Sequence, residues 1–446
     1  MKTVAASVCI CASLTLLSLS CDAILPFSPN FGVWEIPALL GAARTGGNPQ
    51  IACDNAGNAF AVWQAFNGSI TQIWATQYSK EKIWTTPNVI SINSGSAGFP
   101  QIAVDGIGNA VAVWQQHDGA KNRIWANYYS VGANWGTAQP IDLNIEDARD
   151  PQVIINSLGN VIAVWNQHNG TRIRIWANHF TFGSIWGTAQ PIDLDSGSTS
   201  SAKLAVDVSD NFYVVWKQPS GVNNEIWVSQ FTAGNWSISQ LFNYIDGSAS
   251  TPQITFDSIG NAVALWQQYD GTKMRIWANY FLLSTGWSVA QPISIDYGFA
   301  QAPRLSSSTS GNFIAVWMQD DGDYSDCGIW VNFLTPGKDW GLAQRIDSSI
   351  VNARDPRIAV NKYGYSMVIW SENNGSISRI GTNYFLPGIG WDSTRYIDTG
   401  SWGTMRYPQI CIDCAGNGMA IWQQELGSSQ LAIWARHFNI SSMAKE

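Results

Sequence analysis

Charged side chains are scarce in this chain. They make up 13% of its 446 residues, and 24 Lys and Arg stand against 32 Asp and Glu for a formal net charge of −8. The cations are scattered and form no stripe, so nucleic acid is not an expected partner. Histidine is rarer still, with four in all; His117 and His168 share one repeat position where Tyr269 and Asp320 stand in other copies. A position that varies so freely reads as a loop tip rather than a general base. No Gly-x-Ser-x-Gly elbow, His-Glu-x-x-His pair or P-loop occurs, so common hydrolase, zinc-protease and nucleotide-binding signatures are missing. Beyond the N-terminal segment no apolar run is long enough to cross a membrane as a helix.

Tryptophan, by contrast, is abundant, with 24 residues, and glycine contributes 40. Eight tryptophans, Trp63, Trp114, Trp165, Trp216, Trp266, Trp317, Trp370 and Trp422, recur every 50 to 53 residues, each closing a variant of the phrase Asp-Gly-Ile-Gly-Asn-Ala-Val-Ala-Val-Trp seen at 105–114. Repeats begin near 49, 100, 151, 202, 252, 303, 356 and 408. Each reads as four short strands punctuated by turns, which is one propeller blade. A second set, Trp74, Trp125, Trp176, Trp227, Trp277, Trp330 and Trp434, marks the third strand, and Gly381 breaks that column. A third set on the fourth strand ends at Trp391, and the eighth copy lacks its member. Trp34, lying 29 residues before Trp63, supplies the missing strand from the other end of the chain. The expected fold is all-β: a single eight-bladed β-propeller of four-stranded antiparallel blades over 24–446. An N-terminal strand near 31–40 closes it by completing the last blade and removing the open edges.

Residues 1–23 read as a signal peptide, with Lys2 before the apolar run Val4 to Leu19 and small residues after it. The protein is therefore expected to be secreted, periplasmic or at the cell surface, with a lipid anchor at Cys21 as an alternative to simple cleavage. Four cysteines follow that segment: Cys53, Cys327, Cys411 and Cys414. Ring closure makes the first and eighth blades neighbours, and Cys53 and Cys411 have opposite strand parity there, so a disulfide between them would latch the seam. Pairing of Cys414 with either one, or buried free thiols, are the other readings.

Two constellations are candidate sites. The longer sixth-copy loop carries Asp320, Asp321, Asp323 and Asp326, hard oxygen ligands for calcium if they converge and a solvated acidic loop if they do not. On the third strands, alternation places Arg123, Trp125 and Asn127 on one face, with matching trios at Arg174, Trp176 and Asn178 and at Arg275, Trp277 and Asn279. An indole beside a guanidinium and a carboxamide suits a sugar, and repetition would make binding multivalent. The alternative is that the same groups hold blades together. No residue is singled out as catalytic.

The Asp-x-x-Gly-Asn-x-x-Ala-Val-Trp phrase, spread from Pro49 to Phe438, resembles the repeats of exported bacterial propeller proteins. The Trp-rich blades are similar to propeller lectins of the Photorhabdus-type and tectonin-like groups, which implies carbohydrate binding between blades. Similarity to sialidase-like repeat proteins is looser: their Asp-box lies between the third and fourth strands, whereas Asp-x-x-Gly-Asn lies between the first and second. No catalytic residue is carried over. The reading that results is an exported, non-enzymatic protein binding glycans or a surface protein. A glycan-active enzyme of sialidase or polysaccharide-lyase type, or a structural envelope scaffold, are the alternatives.

Overall fold

The computed structural model describes residues 32–440, apart from short stretches at 44–45, 80, 82, 195, 243–246, 321, 323–325, 336, 348–351, 374–377, 401–402 and 428–429. Residues 1–23, expected to be a signal peptide, and with them Cys21, lie outside the described residues. Every regular element described is a strand, and the strands form eight antiparallel sheets. The second blade shows the pattern. Its first strand is Ala97–Val104, its second Ala110–His117 and its third Asn122–Ser130; the fourth is split into Asn134–Trp135 and Gln139–Pro140. Pro140 pairs with Trp125 at the outer edge, where a residue without an N–H is tolerated and blocks further strand pairing.

The turn phrase is a small hydrogen-bonded module. Asp105 Oδ1 accepts the Ile107 and Asn109 amides at 3.0 and 2.9 Å, and its Oδ2 accepts Asn109 Nδ2 at 2.7 Å. Asn109 Oδ1 in turn accepts the Val131 amide, tying this turn to the one between the third and fourth strands. The Asp of the phrase is a turn former, and glycine is needed at 108, where φ is 98°.

Second strands are apolar on both faces because a blade lies against each. Trp114, Trp165, Trp216, Trp266, Trp317, Trp370 and Trp422 are fully buried. Trp114 Nε1 donates to Gln116 Oε1 at 2.9 Å, and Gln116 Nε2 donates to the carbonyls of Ile92 (2.8 Å) and Gly95 (3.2 Å) in the segment joining the blade to its predecessor. One carboxamide thus satisfies the buried indole and holds the connection.

The ring closes as expected. Val33–Trp34 and Ala38–Ala43 both pair with Leu431–Asn439, the third strand of the eighth blade, and supply its split fourth strand. Leu40, Ala59, Trp63, Tyr78, Cys411, Met419 and Ile421 pack the seam.

One feature differs from the plain first strand read from the alternating pattern. Every blade shifts register there, between Gly98 and Gln101 in the second blade. The bulge puts a non-glycine residue at positive φ in each blade: Asn48, Phe99, Asp150, Ser201, Thr251, Ala302, Asp355 and Tyr407, with φ of 50–60°. First strands of adjacent blades touch all the way round, so these eight residues ring the mouth of the central channel.

Candidate functional site

Seven copies of a repeat show what the scaffold requires, and the copy that departs from them shows where something else is required. The seventh blade departs most. The position filled by Gln116, Gln167, Gln218, Gln268, Gln319 and Gln424 in other blades holds Glu372. Its third strand carries Gly381 where the others have Trp, and Tyr396 lies opposite Gly381 where the second, third and fifth blades have Pro. A Cβ at 381 would lie 2.5 Å from Trp370 Nε1, so the indole of the second strand uses the vacated space.

Glu372 borders a groove of about 510 Å³ at the channel mouth, between the seventh and eighth blades. Arg354 and Asp355 line one side, Arg406 and Tyr407 the other, and Asn352, Ser371 and Glu372 lie along the wall. The bulges aim them: Asp355 and Tyr407 are the positive-φ residues of their blades, and each follows an exposed arginine. Among the described residues neither Arg354 nor Arg406 has an ion-pair partner. The Tyr407 ring is 41% exposed. Asn352 Oδ1 is buried without a hydrogen-bond partner, an acceptor left unsatisfied at the groove wall.

Glu372 is buried at 3% exposure and accepts hydrogen bonds from Trp370 Nε1 at 2.6 Å and the Tyr396 hydroxyl at 2.9 Å. Burial, then the Glu372 charge, push the Tyr396 phenol up to about 12. The Arg379 guanidinium lies 4.3 Å over the Tyr396 ring and bonds Asp398 at 2.8 Å.

The third-strand trios lie elsewhere, between blades. Asn127 Nδ2 donates to the Ile90 carbonyl of the preceding blade at 3.1 Å, and Asn178 repeats the bond to Ile141 at 2.8 Å. Asn279 is also buried, accepting from Ser288 Oγ at 2.7 Å. Arg123 and Arg174 pair with Asp142 and Asp193, whose side chains are inaccessible, at 3.0 and 3.2 Å. Burial outweighs the Arg174 contact and pushes the Asp193 carboxyl up to about 6. Arg275 pairs with Asp296 at 3.1 Å. Trp176 is buried, while Trp125 and Trp277 are partly covered. Each arginine and asparagine of the trios thus makes at least one contact within the scaffold, while the buried Nε1 atoms of Trp125, Trp176 and Trp277 have no acceptor among the described residues.

Of the acidic loop, Asp320 Oδ1 accepts the Phe299 and Gly322 amides, both at 2.9 Å, and Asp326 pairs with Arg345 at 3.1 Å; Asp321 and Asp323 lie outside the described residues. His117 and His168 are turn residues, their Nδ1 atoms accepting the Gly119 and Gly170 amides. Cys53 and Cys411 pack in one cluster at the seam and stand there as free cysteines.

No protein-family model matches the sequence, and no curated protein matches it. Among solved structures the chain is similar to polysaccharide lyase Uly1, at 9% identity and a TM-score of 0.49 over 74% of this chain and 88% of that one. It is similar to the PL25 ulvan lyase bound to -[GlcA(1-4)Rha3S]-, at 10% identity and a TM-score of 0.47 over 81% and 97%. The β-propeller domain of the Trilobed protease from Pyrococcus furiosus gives 9% identity and a TM-score of 0.47 over 80% and 96%. Likeness this distant leaves function to be argued from the groove itself.

Sequence reasoning missed the groove because it asked what the repeats share. The signal that finds it was present: one carboxylate in a column of six carboxamides and Ala65, and Arg354 and Arg406 in consecutive blades at a repeat position that Arg149 also fills in the third.

Proposed function

We propose that this chain is an exported carbohydrate-binding protein that takes an acidic glycan in the groove between its seventh and eighth blades. The observation that carries the reading is the pair of exposed guanidiniums of Arg354 and Arg406, which flank the groove with no ion-pair partner among the described residues. Guanidiniums suit a uronate or sulfate, and the Tyr407 ring offers a stacking face. A glycan array spanning neutral, uronate-containing and sulfated chains tests it. Binding confined to acidic chains is expected, and binding to neutral sugars alone would overturn the reading.

A second reading, an enzyme acting on such a glycan, is favoured by one observation: Glu372 lies in the groove wall and accepts a hydrogen bond from the Tyr396 hydroxyl of the blade's outer strand. A buried carboxylate next to a perturbed phenol is a pairing used for proton transfer. Glu372→Gln restores the residue found in six other blades, so it is expected to fold. If the protein cleaves the glycans it binds, this variant should bind them and release no new chain ends; undiminished cleavage would remove Glu372 from the chemistry.

A further inference from the structure

The first strands carry a second ring, one step inside the mouth. The residue two positions after each left-handed one is Gln50, Gln101, Gln152, Lys203, Gln253, Arg304, Arg357 or Gln409. All eight hold one register, opposite Val62, Val113, Val164, Val215, Leu265, Val316, Ile369 and Ile421 of their second strands. Five blades thus place a neutral carboxamide here and three place a cation. The side chains link neighbours round the ring: Lys203 Nζ donates to Gln152 Oε1 at 3.0 Å, and Arg357 Nε to Gln409 Oε1 at 3.2 Å. Arg304 donates to the Pro303 carbonyl at 2.8 Å, and Arg357 donates also to the Pro356 carbonyl at 3.0 Å.

None of the three cations has an ion-pair partner among the described residues. They lie close enough to act on one another although their blades are not all adjacent: Arg304 and Arg357 both repel the Lys203 ammonium. Asp150 and Asp355, in the bulge ring, offset this repulsion in part. Three like charges, half-buried on the innermost strands, oppose folding unless an anion balances them.

We propose that the channel is an oxyanion site in which Lys203, Arg304 and Arg357, with the glutamines of their ring, hold a tetrahedral dianion. Free sulfate or phosphate and the sulfate ester of a glycan chain share the required chemistry: several acceptor oxygens within reach of guanidinium, ammonium and carboxamide donors. The proposal does not depend on the groove reading, because none of these three cations lines the groove.

Thermal melting of the full chain at constant ionic strength, with chloride exchanged for sulfate or phosphate, tests it. A ligand that binds only the folded state raises the melting temperature in a saturable way. Wild type is expected to show that rise, and Arg304→Gln to need about tenfold more sulfate for the same effect, the loss of one charge-assisted contact. Lys203→Gln/Arg304→Gln/Arg357→Gln, which makes the ring uniformly glutamine, should melt higher than wild type in chloride and lose the saturable rise. Arg354→Gln/Arg406→Gln should keep it. Sulfated and desulfated oligosaccharides, tested on that groove variant, separate the sources: competition by the sulfated one alone identifies a glycan ester, and competition by neither identifies the free ion. No saturable rise in wild type overturns the proposal, as does an unchanged sulfate midpoint in Arg304→Gln.

Discussion

Burying an indole leaves one N–H to satisfy, and the carboxamide two residues along does so in blade after blade. Gln116→Ala would strip the Trp114 N–H and two backbone carbonyls of their partners in a dry interface. A cost of about 2–3 kcal/mol in urea unfolding is expected; a change near zero would mean that these bonds are not worth forming. Asn127 serves the same end between blades, and alternation alone could not reveal it. The pattern placed Arg123, Trp125 and Asn127 on one face without saying that the face lies against the preceding blade. Lys203 gives a residue-scale test that depends on pH. Burial, then Arg304 and Arg357, lower its pKa from 10.5 to about 8, so the folded chain holds that proton less tightly than the unfolded one. The penalty is therefore fully present below pH 8 and fades as pH rises from 8 to 10.5. Lys203→Gln should be more stable than wild type at pH 7, with the difference shrinking toward pH 10; a difference that grows with pH would contradict the assignment.

At the scale of the element, the strand that closes the ring and the bulge that opens each blade differ in how visible they were. The closing strand was legible because Trp34 keeps nearly the spacing of the fourth-strand tryptophans, and the structure pairs it with Phe438. The bulge was not: its residues Asn48, Phe99, Asp150, Ser201, Thr251, Ala302, Asp355 and Tyr407 share no side-chain property, and the proline that follows all of them but Ser201 does not by itself signal a left-handed residue. Removing residues up to Ala43 would expose the edges of the eighth blade's third strand. The truncated chain is expected to melt lower and to associate in size-exclusion chromatography, and an unchanged monomer would mean that closure is dispensable. The seam also fixes the state of its cysteines. The hydrogen bond to Cys411, then burial, holds the Cys53 thiol well above its ordinary range, and the thiol form is the unreactive one. Iodoacetamide at neutral pH should leave Cys53 unmodified until the protein unfolds; prompt labelling, read by peptide mass, would contradict the packing of the seam.

For the whole molecule, a ring of repeats separates what is shared from what is not. The shared residues build the blades, and their period made an eight-bladed propeller legible before any coordinate was known. At one mouth Glu372, Arg354, Arg406 and Tyr407 meet from two blades; no pattern within one repeat could place them together, since that follows only from the bulges and the packing of neighbours. The claim that this mouth reads acidic glycans is tested most directly by calorimetric titration of the full chain with a uronate-containing oligosaccharide, comparing wild type with Arg354→Gln/Arg406→Gln. Saturable binding, weakened about 100-fold when both guanidiniums are removed and the melting temperature is kept, is the expected result. Equal affinity in the two proteins, or no binding by folded wild type, would contradict it.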